Sequence, residues 1–310
     1  MRIAILGSGG VGGYFGARLA AAGEDVVFLA RGAHLAALRS RGLTIESPLG
    51  NLHLTNVKAS DSPDGLGPAD LVFFAVKLYD TESALAMLPP LIGPDSLVIP
   101  FQNGVESVDV LTRAVGRAHV AGGTAYVAAV IKEPGLIHHT AMNRIIFGAL
   151  DGSRPRLLEQ LLAAATRAGI EATLSDKISV DIWAKFVRLT VMSGLTAITR
   201  CSIGPVMADP DLLALYETAL HESIAVARAK QIPLPATIFD DILAAQRAAP
   251  PESRSSMLED LERGRRLELP WLSAAIVRIG EEVGVETPTH RLIVALLRPH
   301  VHGRAQEKPV

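Results

Sequence analysis

MRIAILGSGGVGGYFGARLAAAG, residues 1–23, is a short apolar run that passes directly into glycines. Arg2 to Leu6 reads as a buried strand, and Val11 to Ala22 as a helix ended by Gly23. Between them Gly7-Ser8-Gly9-Gly10-Val11-Gly12 fits the pattern G-x-G-x-x-G. In such a turn the first glycine allows the tight bend. The second lets backbone approach a pyrophosphate, and the third lets helix and strand pack closely. The helix start adds unpaired N–H groups and the positive end of a dipole. Six letters alone say little, but the strand–turn–helix context points to a dinucleotide. The next strand, "DVVFLA", ends in Ala30-Arg31-Gly32. An acidic residue there would hold the ribose 2′-hydroxyl of NAD. Arg31 suits a 2′-phosphate instead, so the expected cofactor is NADP(H).

Outward from this start, strand and helix patterns alternate. After a helix across His34 to Arg41 and a hairpin-like stretch (Leu43 to Val57), "DLVFFAV" and "SLVIPF" read as buried strands. Helical patterns run from Thr81 to Leu88 and from Glu106 to Ala114. Apolar runs joined by helices indicate a doubly wound parallel sheet. The meander "HVAGGTAYVAAVIKEPGLIHHT" with "RIIFGAL" is expected to add antiparallel strands at one edge of that sheet. From about Ser175 the strand signal ends. Ile178 to Ile198 is apolar nearly all round, the mark of a buried helix, and helices follow at Pro210–Gln231, Ala236–Ala248 and Pro270–Gly284. The tail "HGRAQEKPV" is expected to fray. An α/β domain over residues 1–174 and an all-helical domain over 175–310 are therefore expected, as the 310-residue length allows.

Composition narrows the function. The net charge is −2, with 49% hydrophobic and 20% charged residues, so no general affinity for nucleic acid is expected. The single cysteine, Cys201, leaves no disulfide framework or cysteine-built metal site. His138-His139 and His300-x-His302 lack a third ligand at a sensible spacing, so no metal is expected. Ile3 to Leu6 is too short for a signal peptide, and no apolar stretch suits a membrane span, so a cytoplasmic protein is expected. The long apolar helix suits a homodimer interface as well as an intrachain one.

Further pieces combine with the glycine loop: Lys77 in "FFAVKLYD", "QNGVE" around Asn103, "DIWAKF" around Lys185, and "SSMLEDLERGRRLEL" with Ser256 and Glu268. Together, in order and over nearly the whole chain, they resemble the ketopantoate reductase (2-dehydropantoate 2-reductase) family. The resemblance implies a Rossmann-type domain, then a helical domain, with an active site in the cleft between them. It also implies NADPH-dependent reduction of a 2-oxo acid to a 2-hydroxy acid, as in pantothenate biosynthesis. In that family the lysine matching Lys185 is the proton donor, and the asparagine matching Asn103 contacts nicotinamide and substrate. The lysine matching Lys77 lines the cofactor site. The serine matching Ser256 holds substrate, and the glutamate matching Glu268 lies beside cofactor and reacting centre. Ala129, in "TAYVAA", falls where the family has a backbone contact to the cofactor.

The chemistry agrees with this reading. Hydride delivery to a ketone builds negative charge on oxygen, which calls for a cation or proton donor. A lysine in an otherwise apolar helix is costly without a partner. Ser256 also suits the N-cap of the helix running through Leu258. One departure stands out. Four and eight residues after the catalytic lysine the family has asparagines, and this chain has Leu189 and Ser193. Both share a helix face with Lys185 and are expected to meet the substrate. A more apolar 2-oxo acid than ketopantoate is the alternative substrate, and a catalytically idle NADP(H) sensor the alternative function.

Overall fold

The computed structural model describes residues 1–304. The described residues form two compact units, one of residues 1–102 and 106–181, the other of 103–105 and 182–304.

The first unit opens with β1 (Arg2–Leu6), α1 (Gly10–Ala21), β2 (Asp25–Leu29) and α2 (Gly32–Arg41). A short hairpin of β3 (Leu43–Glu46) and β4 (Leu52–Leu54) follows, then β5 (Lys58–Ser60) and β6 (Ala69–Phe74). Next come α3 (Thr81–Leu85), β7 (Ile92–Pro100) and α4 (Ser107–Val115). The parallel sheet has the order β5-β2-β1-β6-β7. The order reverses at β1, so the glycine loop leaves the sheet at its topological switch point. Alternation along β1 shows why both faces are covered. Ile3 and Ile5 enter one apolar core with Phe15 and Phe73, while Ala4 and Leu6 enter another with Phe74 and Val98.

The meander does not extend that sheet. β8 (Gly122–Glu133) and β9 (Leu136–Gly148) pair antiparallel, and β9 also pairs in parallel with β3 and with β10 (Glu171–Leu174), which follows α5 (Arg156–Arg167). The result is a second, mixed sheet rather than an edge of the first. Helix α1 lies against both sheets, which explains its glycines. A Cβ on Gly12 would meet Ile5 of β1 at 2.8 Å, and one on Gly13 would meet Ile137 of β9 at 2.3 Å. At Gly12, where a Cβ would also fall 2.3 Å from Gly7 O, no side chain fits, whereas at Gly13 the end of the Ile137 side chain would have to move.

The second unit is helical. It takes most of α6 (Ile178–Thr199), then α7 (Ile203–Ala208), α8 (Pro210–Ala229), α9 (Ile238–Arg247) and α10 (Ser256–Glu262). α11 (Ser273–Val283) and α12 (Pro288–Leu297) complete it. Gly284 ends α11 in the left-handed conformation. Pro270 instead sits in a separate 3-10 turn, Leu269–Trp271, that precedes α11. Glu222 of α8 caps α12, its carboxylate accepting from the backbone N–H groups of Thr289 (2.9 Å) and His290 (3.1 Å). His290 is fully buried with Nε2 2.8 Å from Ser223 Oγ, and burial pushes its pKa down. The expected fraying does not begin at His302. Leu267 N–H donates to Val301 O, and Arg304 N–H to Gly264 O; the rest of the tail lies outside the described residues. No helix among those residues is long and apolar enough to cross a membrane.

Candidate active site

In the first unit the residues expected to hold a dinucleotide gather at the C-terminal ends of β1, β2 and β6. Gly7 has φ +101°, and a Cβ there would strike the backbone of Val76 at 2.5 Å, so only glycine fits the turn. Gly10 is pressed on the other side, where a Cβ would fall 2.0 Å from the Ala129 carbonyl oxygen. Ala129 therefore meets the glycine loop through its backbone. Gly9, the N-cap of α1, differs from both: a Cβ there would meet nothing within 4 Å. That open face, at a helix start with no acidic residue in its first turn, fits a pyrophosphate. Gly12 closes the loop against Gly7 O, and Val11 is partly buried behind it. The Ser8 side chain faces inward, and its hydroxyl (3.0 Å) and backbone N–H (3.2 Å) both donate to Leu29 O, so Ser8 ties the loop to β2.

Arg31 caps the start of α2 in an extended conformation. Its side chain is 65% exposed, 3.6 Å from Asp80 Oδ2. An exposed pair of this kind contributes little and yields readily to a phosphate. Lys77 is exposed at the turn after β6. Gln102, which the sequence reading passed over, anchors the exit of β7. It is buried and donates through Nε2 to Val76 O (2.9 Å) and Thr81 Oγ1 (3.0 Å), while Oε1 accepts from Ser107 Oγ (2.8 Å). Three bonds hold the chain just before Asn103.

In the second unit three distant positions come together. Lys185 Nζ donates to Asn103 Oδ1 at 3.1 Å, and Asn103 Nδ2 donates to Glu268 Oε2 at 3.2 Å. An ammonium can only donate and a carboxylate can only accept, so these two neighbours dictate which way the Asn103 amide points. Glu268 is only 6% exposed, just ahead of the 3-10 turn, and Lys185 is half-buried on α6. Burial brings the Lys185 pKa down to about 8, against the pull of the Glu268 carboxylate and with some help from the Arg188 charge. A lysine with that value gives up a proton readily near neutral pH.

Ser256 is exposed at the first position of α10, but it is not the cap. Ser255 caps the helix, its hydroxyl accepting from Leu258 N–H at 3.1 Å and pairing with Thr196 Oγ1 at 2.7 Å. The cap is one residue earlier than expected, which leaves the Ser256 hydroxyl outside that role. Leu189 is half-buried, whereas Ser193 is fully buried with its hydroxyl unpartnered among the described residues.

The chain is similar to known proteins over nearly its whole length. The family described as "Ketopantoate reductase PanE/ApbA" matches residues 3–152, and its C-terminal counterpart matches residues 177–301. A 2-dehydropantoate 2-reductase of Mesorhizobium japonicum is 31% identical, with 96% of this chain and 97% of that protein covered. The crystal structure of a ketopantoate reductase of this family from Ralstonia eutropha JMP134 has TM-score 0.88 at 33% identity, covering 97% of this chain and 98% of that one. That of 2-dehydropantoate 2-reductase from Geobacter metallireducens GS-15 has TM-score 0.90 at 30% identity, covering 96% and 99%.

Proposed function

Because the chain belongs to the ketopantoate reductase family, we propose that it reduces 2-dehydropantoate to pantoate with NADPH. The observation that carries the reading is the Lys185–Asn103–Glu268 chain of hydrogen bonds, with its lysine pKa of about 8. NADPH, when bound, supplies the hydride that adds to the keto carbon. As the carbonyl π electrons move onto oxygen, Lys185 Nζ gives that oxygen its proton and is left neutral, to be reprotonated from solvent. Before transfer the ammonium also stabilises the growing negative charge. Asn103 fixes the direction of the ammonium through Oδ1, and Glu268 fixes Asn103 through Nδ2. Ser256 serves as a hydroxyl for the substrate. Gly7, Gly9, Gly10 and Gly12 form the pyrophosphate cradle, with Ser8 holding the loop to β2, Val11 contributing backbone, and Lys77 and Ala129 lining it. Arg31 reads the 2′-phosphate; it favours NADPH over NADH because no carboxylate stands at Ala30.

A second reading, reduction of a more apolar 2-oxo acid, is favoured by Leu189, which offers no hydrogen bond to a substrate hydroxyl. One experiment tests both. NADPH oxidation is followed over a panel of 2-oxo acids that includes 2-dehydropantoate, from pH 6 to pH 10. Turnover is expected with 2-dehydropantoate, with kcat falling above about pH 8 as Lys185 loses its proton. Faster turnover of an unhydroxylated acid selects the second reading, and no oxidation with any acid overturns both.

A further inference from the structure

We propose that Arg188 is the carboxylate anchor of the substrate site, its guanidinium gripping the acid group while Lys185 meets the neighbouring keto oxygen. The inference rests on the reading of the protein as a 2-oxo acid reductase and assigns one more residue to that site. Helix α6 is apolar apart from a few positions, and Asp181, Lys185 and Arg188 are its only charged residues. Arg188 follows Lys185 by three positions and so lies beside it on the helix surface. It is half-buried, yet makes no hydrogen bond or ion pair with any described residue. A guanidinium cannot shed its charge, and a partly buried cation without a partner is costly. A partner is missing.

The surroundings say what kind. The Arg188 charge is felt on one side by Lys185 and on the other by Tyr216. Tyr216 is fully buried, burial keeps it protonated, and Gln246 is the hydrogen-bonding neighbour of its hydroxyl. Gln246 is itself only 3% exposed. Hydroxyl, amide and guanidinium can each donate a hydrogen bond. What the cluster lacks is a negative charge, and the planar guanidinium fork matches a two-oxygen anion. Charge points the same way: protonated Lys185 and Arg188 against ionised Glu268 leave one net positive charge, the complement of a 2-oxo acid monoanion. The carboxylate and keto carbons of such an acid are directly bonded, so its two anchors must be neighbours, as side chains three apart on a helix are. Around α6, Arg188 departs from Lys185 in the opposite sense to Leu189 and Ser193. The polarity absent at those two positions is thus present on the other flank of the lysine.

The test compares 2-dehydropantoate with its lactone, an uncharged form of the same skeleton, in the parent protein, Arg188→Met and Arg188→Lys. Arg188→Met is expected to lower the ratio of kcat/KM for acid over lactone by about 30–100-fold, the scale of a lost charge-assisted pair. Arg188→Lys should restore part of it, and NADPH affinity reports that each variant is folded. An unchanged ratio overturns the assignment. If the parent turns over neither compound, the proposed reaction fails by itself. Calorimetric titration of 2-dehydropantoate into NADP+-saturated protein then decides Arg188. Binding by the parent that is lost in Arg188→Met supports the anchor; equal affinity, or no binding by the parent, overturns it.

Discussion

The two units of this protein build their candidate sites by opposite means. The sheet unit uses backbone: three glycines admit no side chain, a fourth leaves open space, and the loop's one hydroxyl is turned inward to β2. The helical unit uses side chains from separated parts of the chain, and several keep unmet hydrogen-bonding groups. A site made of backbone is tested by adding atoms to it. A site made of side chains is tested by removing them, and removal should release stability as it destroys function.

Lys185→Met makes the largest demand on that contrast. Its kcat should fall at least about 100-fold, the usual scale for a lost general acid, while NADPH still binds. Stability at pH 7 should rise by about 1–3 kcal/mol, because the native state holds this lysine near pKa 8 against the ordinary value. The sign follows from proton counting. Below pH 8 both states carry the proton and only the native one bears the cost of burying it. Above pH 8 the native lysine sheds the proton and the gain shrinks. Thermal melts at pH 7 and pH 10 check this; a variant less stable than the parent at pH 7 breaks the contrast.

The glycine pair comes next. Gly10→Ala should destabilise by about 1–3 kcal/mol, because backbone must move to admit the methyl. Gly9→Ala should leave the melting temperature within about a degree or two and still weaken NADPH by roughly tenfold, since its methyl occupies the open face. Equal melting losses in both variants would show that the space beside Gly9 is not a ligand's.

Arg31→Ala sharpens the one side-chain element of the backbone site. It should weaken NADPH by about 1–3 kcal/mol and NADH hardly at all. Fluorescence titration of both cofactors measures it, and equal losses remove the 2′-phosphate assignment. The smallest effect is expected from asparagine at Leu189 and Ser193 together. Their preference for 2-dehydropantoate over an unhydroxylated analogue should rise by no more than roughly tenfold in kcat/KM. An unchanged ratio in a folded, NADPH-binding variant means these positions do not read the substrate.

How much was legible in the sequence follows the same division. The backbone cradle was readable because its glycines fall within six residues, and all but Gly9 answer a local steric demand. Lys185, Asn103 and Glu268 were named through resemblance; no spacing argument brings residues 103, 185 and 268 together. The second sheet was misassigned because β9 pairs with β3, some ninety residues earlier, and strand patterns carry no record of a partner. The cap at Ser255 was misread by one residue because adjacent serines are equally good caps. Arg188 did carry a signal: like Lys185, it is a cation in an apolar helix. Tyr216 and Gln246 carried none, since their pairing exists only once the helices have packed.

Sealing His290 inside the helical unit has a thermodynamic consequence. The native ring resists a proton that the unfolded chain accepts below about pH 6.5. Unfolding in acid is therefore accompanied by proton uptake, and stability declines as the pH drops, at a limiting slope of about 1.4 kcal/mol per pH unit for one such group. The same ring sits under the carboxylate cap that starts α12, so the acid edge of this fold falls on the junction between α8 and α12. A residue with no part in the chemistry thereby helps set the most acidic medium in which that chemistry has a scaffold.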